Sequence, residues 1–127
     1  MFDIRKRLYF LAPALVVALA GGLMLLTNRI GRQGESRYPP AGEFVSAEGV
    51  SLHYIDAGTG TPVILIHGDG GSVQDWTKSI FDRVAQDYRS IAVDRPGFGY
   101  SERPEGAGSP FVQARLIRQA AKSLGVQ

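Results

Sequence analysis

Two short stretches decide the fold. Ile64–Ser72 reads ILIHGDGGS and Ala92–Arg103 reads AVDRPGFGYSER. Each is an apolar run that breaks into a glycine-rich loop. A continuous apolar run such as Pro62–Ile66, PVILI, suits a strand buried on both faces, as in a parallel sheet. Ser90–Val93 is a second short apolar strand, ending at Asp94. Between them Trp76, Ile80, Phe81, Val84 and Tyr88 recur near a 3.6 period, so a helix is predicted, with Ser72 as its cap and Asp75 completing a capping-box spacing. Strand, helix, strand within about 30 residues is a βαβ unit with a right-handed crossover.

Outward from this unit the pattern continues. Phe44, Val45, Val50, Leu52, Tyr54 and Ile55 flank Glu48-Gly49, which predicts a β-hairpin. On its second strand Leu52, Tyr54 and Asp56 take one face, and His53 and Ile55 the other. His53 is expected to be a packed or surface residue. Downstream, Ser109 and Pro110 have the N-cap and N1 identities of a helix start. Val112, Leu116, Ile117, Ala120 and Leu124 would line that helix, Gly125 would follow it, and Val126 would lead into a next strand. The fold class is α/β, with helices expected on both faces of a sheet.

The N-terminus differs in kind. Leu8–Leu26, LYFLAPALVVALAGGLMLL, runs 19 residues without a charge. As a helix it would cover ~28 Å, close to the hydrocarbon core of a bilayer. Arg5, Lys6 and Arg7 precede it, as a cytoplasmic N-terminus requires, while Arg29, Arg32 and Arg37 follow it. Two readings stay open. One is an uncleaved single-pass anchor. The other is a signal peptide cut near Ala20, at the small-x-small sequence Ala18-Leu19-Ala20, giving a secreted product. Both export the remainder of the chain. Residues 1–30 are thus assigned to a membrane or signal segment. The polar, Gly- and Pro-bearing stretch 31–42, GRQGESRYPPAG, is a linker, and 43–127 is the globular part.

Charge divides along the same boundary. The first 30 residues carry a formal +3 and the remainder −1. The basic balance therefore belongs to the membrane-proximal cluster, and no nucleic-acid partner is expected. Cysteine is absent, which excludes disulfides and thiolate metal sites. His53 and His67 with the scattered carboxylates make no convincing metal set, and no cofactor is expected. A nucleotide-binding βαβ module would need Gly-x-Gly-x-x-Gly or Gly-Lys-Ser/Thr. Gly68-x-Gly70 is followed by Val73 in place of the third glycine, and Gly97-x-Gly99 by Glu102.

Strand, His-Gly loop, helix, strand and Asp-Arg-Pro-Gly-x-Gly loop together resemble the N-terminal half of the α/β-hydrolase superfamily. Leu52–Gly58, LHYIDAG, is similar to the second strand of many of its members. The resemblance covers about Glu43–Gln127 and implies that the loop after the third strand supplies part of an oxyanion hole. By position the donor amide is that of Asp69, with Gly70 second; His67, Gly68 and Gly71 shape this loop. An Asp69 carboxylate would oppose a developing oxyanion unless it points away. Asp94, Arg95, Gly97 and Gly99 shape the second loop, with Asp94 and Arg95 expected to pair inside it. His67 corresponds to the loop-shaping histidine, since the family's catalytic histidine comes later in the chain.

No Gly-x-Ser-x-Gly elbow occurs, and Gly99-Tyr100-Ser101-Glu102-Arg103 lacks its closing glycine. The nucleophile, acid and base of a Ser-His-Asp type triad are therefore expected beyond Gln127, and none in this chain, the alternative being a non-catalytic truncated or binding module on a hydrolase-like fold. The resemblance implies a small-molecule substrate. A carboxylic ester is the default, with epoxide, haloalkane, amide or C–C bond hydrolysis open. A sheet stopped here is expected to leave an open edge beside Ser90–Val93.

Overall fold

The computed structural model describes residues 4–126; within its first helix, side chains are described at 11, 13–31 and 33. The chain divides into two units that part between Pro39 and Pro40.

The first unit is one helix, α1, Ile4–Arg37. Its stretch Pro13–Gly31 is long and apolar enough to cross a membrane, with mean hydropathy 1.6 and none of it buried. Leu15, Val17, Leu19, Met24, Leu25 and Ile30 are all exposed. The side chains of the Arg5-Lys6-Arg7 cluster and of Leu8–Phe10 lie outside the described set, as do residues 1–3 of the 1–30 segment and residue 127 of the globular part. The expected linker, 31–42, is helical as far as Arg37. Extending an existing helix costs far less than nucleating one, so a polar run with two glycines can still propagate it. The stop comes at Tyr38, because a residue before proline is driven out of the α region.

The second unit is a four-stranded mixed sheet with helices on both faces. Its strands are β1, Glu43–Ala47; β2, Val50–Ala57; β3, Pro62–Ile66; and β4, Arg89–Val93, in the order β1-β2-β4-β3. β1 and β2 form the predicted hairpin, with Phe44 opposite His53. β2 runs antiparallel to β4 and β3 parallel to it, with Tyr54 opposite Val93 and Leu65 opposite Ala92.

Helix α4, Pro110–Ser123, covers one face. Leu116 and Ala120 pack against Ala47 and Leu52, and the neighbouring cluster of Tyr54, Ile91 and Val93 takes in Ile64, Leu124 and Val126. Ser109 is the N-cap residue in extended conformation, though its side chain makes no cap bond. The helix ends in a Schellman motif: Val126 N donates to the Ala121 carbonyl and Gly125 N to that of Lys122. Val126 is thus held by the helix end.

On the other face the single predicted helix is two one-turn helices, α2, Gln74–Thr77, and α3, Phe81–Val84. The break has a local cause. The Ser79 hydroxyl donates back to carbonyls of the preceding turn, at Asp75 and Trp76, which competes with the helical ladder. The N-cap position is Val73 rather than Ser72, though the Ser72 hydroxyl still accepts the amide of Gln74, the first helical residue, at 3.3 Å. Val73, Phe81 and Ala92 still form the core of this face, with Ile55, Leu65 and Trp76 against it.

Two expectations about β3 and β4 are corrected. The open edge lies on β3, not beside Ser90–Val93, because β2 pairs with the free side of β4. PVILI is consequently half-buried rather than buried on both faces, and Ile66 is 46 % exposed.

Candidate active site

Both glycine loops leave the C-terminal ends of the parallel strands β3 and β4. The antiparallel register puts His53 next to Asp94 across the β2–β4 ladder, where Asp94 N donates to the His53 carbonyl at 3.0 Å. Both side chains fall on the α2–α3 face and both are fully buried. Asp94 Oδ2 lies 2.8 Å from His53 Nδ1 and accepts the Tyr100 amide at 3.0 Å; Oδ1 accepts the Val73 amide at 2.7 Å. Burial alone would raise the Asp94 carboxyl. The hydrogen bonds from His53, Tyr100 and Val73 outweigh it and hold the group below its ordinary value. An ionised carboxylate has no proton to give, so His53 Nδ1 carries it and donates.

The expected Asp94–Arg95 pair does not form. Asp94 is spent on His53 and two amides, and the Arg95 side chain lies over the Phe98 ring, 4.5 Å from its centroid, with Nη2 3.8 Å from Asp69. A carboxylate sealed in the core is satisfied by fixed N–H donors there, whereas a guanidinium stays partly solvated on an aromatic face.

His67 is buried at the foot of the first loop. Its Nε2 accepts the Arg95 amide at 3.0 Å, which places the ring proton on Nδ1, 2.8 Å from the Gly68 carbonyl. Phe98 stands edge-on to this ring at 5.6 Å. Both ring nitrogens are committed, so His67 has none to offer as a base.

The loop His67–Val73 is therefore tied at both ends to consecutive residues, at His67 to Arg95 and at Val73 to Asp94. Between the ties, the Asp69 and Gly70 amides donate to no group among the described residues. Gly70 has φ +67 with open space where a Cβ would stand. The Asp69 carboxylate is 99 % exposed and points out of the loop toward Arg95.

The second loop is closed by its own bonds. Phe98 N donates to the Arg95 carbonyl, Ser101 N to that of Phe98, and Gly97 N to that of Glu102. Gly97 and Gly99 take positive φ, and a Cβ on Gly99 would fall on the Asp94 carboxylate. Ser101 is buried, donating at 2.6 Å to the Asp94 carbonyl and accepting the His53 amide at 2.9 Å. Its hydroxyl is structural. Among the described residues no group of three potential metal ligands converges.

The sequence reading missed His53 as the partner of Asp94. The signal was its strand parity, opposite to that of Leu52 and Tyr54, on the face that the glycine loops cross.

A model of the alpha/beta hydrolase fold family matches residues 61–127. This chain belongs to the α/β hydrolase fold family. It is 39% identical over 94 residues to a 2-hydroxy-6-oxo-6-(2'-aminophenyl)hexa-2,4-dienoic acid hydrolase of Metapseudomonas resinovorans, covering 72% of this chain and 30% of that one. It is 33% identical to haloalkane dehalogenase 2 of Mycobacterium tuberculosis, covering 70% of this chain and 31% of that one. Among solved structures, a meta-cleavage product hydrolase of Pseudomonas fluorescens superposes with TM-score 0.60 at 38% identity, covering 66% of this chain and 32% of that one. An epoxide hydrolase of Bacillus megaterium does so with TM-score 0.58 at 32% identity, covering 66% and 30%. The chain thus spans about a third of the length of these α/β hydrolases.

Proposed function

We propose that this chain is the N-terminal part of an α/β hydrolase that cleaves an ester-like bond in a small molecule. In this reading the Asp69 and Gly70 amides are its oxyanion donors, and a Ser-His-Asp type triad lies beyond residue 127. The observation that carries it is the loop His67–Val73, anchored at both ends, with the Asp69 and Gly70 amides among the backbone donors left unspent between the anchors. Acyl transfer needs donors held in place before charge develops, because reorganisation during the reaction would cost much of their benefit. The outward-pointing Asp69 side chain removes the objection its charge raised. The helix Ile4–Arg37 would tether the hydrolase to a membrane with the globular part on the exported side, or be removed near Ala20 as a signal.

By itself the chain is proposed to be inactive. Its two histidines are committed, His67 at both nitrogens and His53 at Nδ1 inside the core, and the Ser101 hydroxyl is bonded at both sides. The remaining histidine nitrogen, His53 Nε2, is sealed in the core, so among the described residues no histidine is open to a nucleophile as a general base.

The test is to express the reading frame continued beyond codon 127. It is then assayed on aryl esters, vinylogous diketone acids, epoxides and haloalkanes. Turnover of the ester, abolished by substituting the serine of the downstream elbow, supports the reading; turnover confined to an epoxide or haloalkane refutes the ester-like bond and the serine nucleophile. A folded, extended product that turns over none of the four classes refutes it.

A further inference from the structure

We infer that His53 is a positioning residue for the loop that carries the Asp69 and Gly70 amides, acting through Asp94; this rests on the hydrolase reading above. His53 is 1 % exposed, lies between the rings of Phe44 and Tyr100 at 5.3 and 5.5 Å, and leaves its Nε2 without a hydrogen-bond partner. A buried orphan nitrogen is a cost, and an apolar side chain of similar size would avoid it. What the histidine supplies in return is one donor, Nδ1–H, to Asp94 Oδ2. With the Tyr100 amide on the same oxygen, this donor sets the carboxylate's rotation. That rotation aims Oδ1 at Val73 N, the distal anchor of the loop. The strand ladder makes the arrangement rigid: the His53 backbone is held by the Asp94 amide on one side and the Ser101 hydroxyl on the other. Without Nδ1–H the carboxylate can turn, the Val73 anchor loosens, and the amides ahead of it lose their fixed direction. Displacement of catalytic donors by about 1 Å is enough to cost up to about 100-fold in rate.

The experiment compares His53→Leu, which removes the donor, with His53→Asn, whose side-chain amide stands close to where Nδ1 stood. The first arm is amide hydrogen exchange on this chain in mild detergent. His53→Leu is expected to speed exchange at Val73 and Tyr100 about tenfold relative to the Leu116 and Ile117 amides, and His53→Asn to reverse most of that. Uniform acceleration across both sets, or no difference between the two variants, overturns the assignment. Should His53→Leu fail to fold, the unsubstituted chain decides by nitrogen-15 spectroscopy: the His53 proton on Nδ1 supports it, and on Nε2 alone refutes it.

The second arm is turnover by the extended polypeptide. His53→Leu should lower kcat about tenfold or more with KM within about twofold, and His53→Asn should recover it. An unchanged kcat in folded His53→Leu overturns the assignment while the hydrolase reading stands. An extended polypeptide that is inactive without any substitution sinks the hydrolase reading, and the exchange arm then judges His53 alone.

Discussion

The Val73 amide donates to the Asp94 carboxylate at 2.7 Å, and this bond joins the two glycine loops into one structure. Val73 ends the loop after β3; Asp94 begins the loop after β4. Because Asp94 is buried and bonded to His53 and Tyr100 as well, the joint has no slack.

Asp94 should make the fold acid-sensitive in a specific window. Its carboxyl is held below the ordinary value, so the fold prefers the ionised form. The stabilisation is therefore present in full above the unfolded value, about 3.9, and is lost as pH falls from there through the folded value. Asp94→Asn is expected to destabilise the chain by about 2–3 kcal/mol at neutral pH and to flatten the loss below about pH 4. Thermal melts between pH 2 and 7 measure both. Parallel pH profiles for the two proteins would contradict this account.

The two glycine loops should respond differently to a methyl group. At Gly99 a Cβ would fall on the Asp94 carboxylate, and φ is +52. Gly99→Ala should cost about 3 kcal/mol or more, combining backbone strain with displacement of a buried charge. At Gly70, φ is +67 but no atom lies within 4 Å of the added Cβ. Gly70→Ala should therefore cost only about 1–2 kcal/mol, from the left-handed backbone alone. Urea unfolding of the two variants gives the comparison; equal costs would mean that the Asp94 carboxylate yields freely.

Much of this was legible in the sequence, and the misses share a cause. The hairpin, both parallel strands and α4 are written in local apolar patterning and in Pro110 and Gly125. The loop residues His67 and Gly97 carried the family resemblance. What local pattern could not supply was pairing order. PVILI reads as a strand buried on both faces, but β3 is an edge: β4 pairs one of its sides and no strand among the described residues pairs the other. The helix between them broke because Ser79 bonds its own backbone, which the apolar period does not register. Asp94 and Arg95, adjacent in sequence, invited pairing, yet Asp94 is spent on His53 and two amides in the core while Arg95 lies over Phe98. The true partner, His53, lies 41 residues away.

With His67 bonded at both nitrogens and His53 Nε2 sealed in the core, the 127-residue chain should turn over no short-chain aryl ester above background. Ser72→Ala and Ser101→Ala belong in the same assay, since these serines lie in or beside the two loops. Turnover abolished by either substitution would place a nucleophile in this chain and overturn the proposal of an inactive piece.

The exposed apolar side chains at 11 and 13–30 have no partner among the described residues of their own unit, and apolar helices of this length are stable in a bilayer. Reporter fusions after Gln127 should be active on the exported side only, and the chain should remain with the membrane after carbonate washing. A soluble product beginning at Gly21 would select the cleaved-signal reading; activity confined to the cytoplasm would refute export altogether.

Self-association should run through β3. Its outer edge is unpaired in this sheet, and beside it Ile64 and Ile66 form with Ile117, Ala121 and Val126 an apolar groove of about 450 Å³. An exposed strand edge next to apolar surface is a template for another chain. A unit of this size also buries a smaller fraction of its surface than a full hydrolase domain does. The second unit, expressed from Pro40 onward, is therefore expected to be oligomeric or aggregated at micromolar concentration. Ile66→Lys puts a charge at the edge on a side chain already 46 % exposed, and should shift the population toward monomer with little loss of stability. Co-expression with the downstream part of the reading frame should do the same by covering the groove. Sedimentation velocity reads the outcome. A monomer with a sharp, reversible thermal transition in the unsubstituted unit would show that β3 needs no neighbour and that the sheet is stable as it stands.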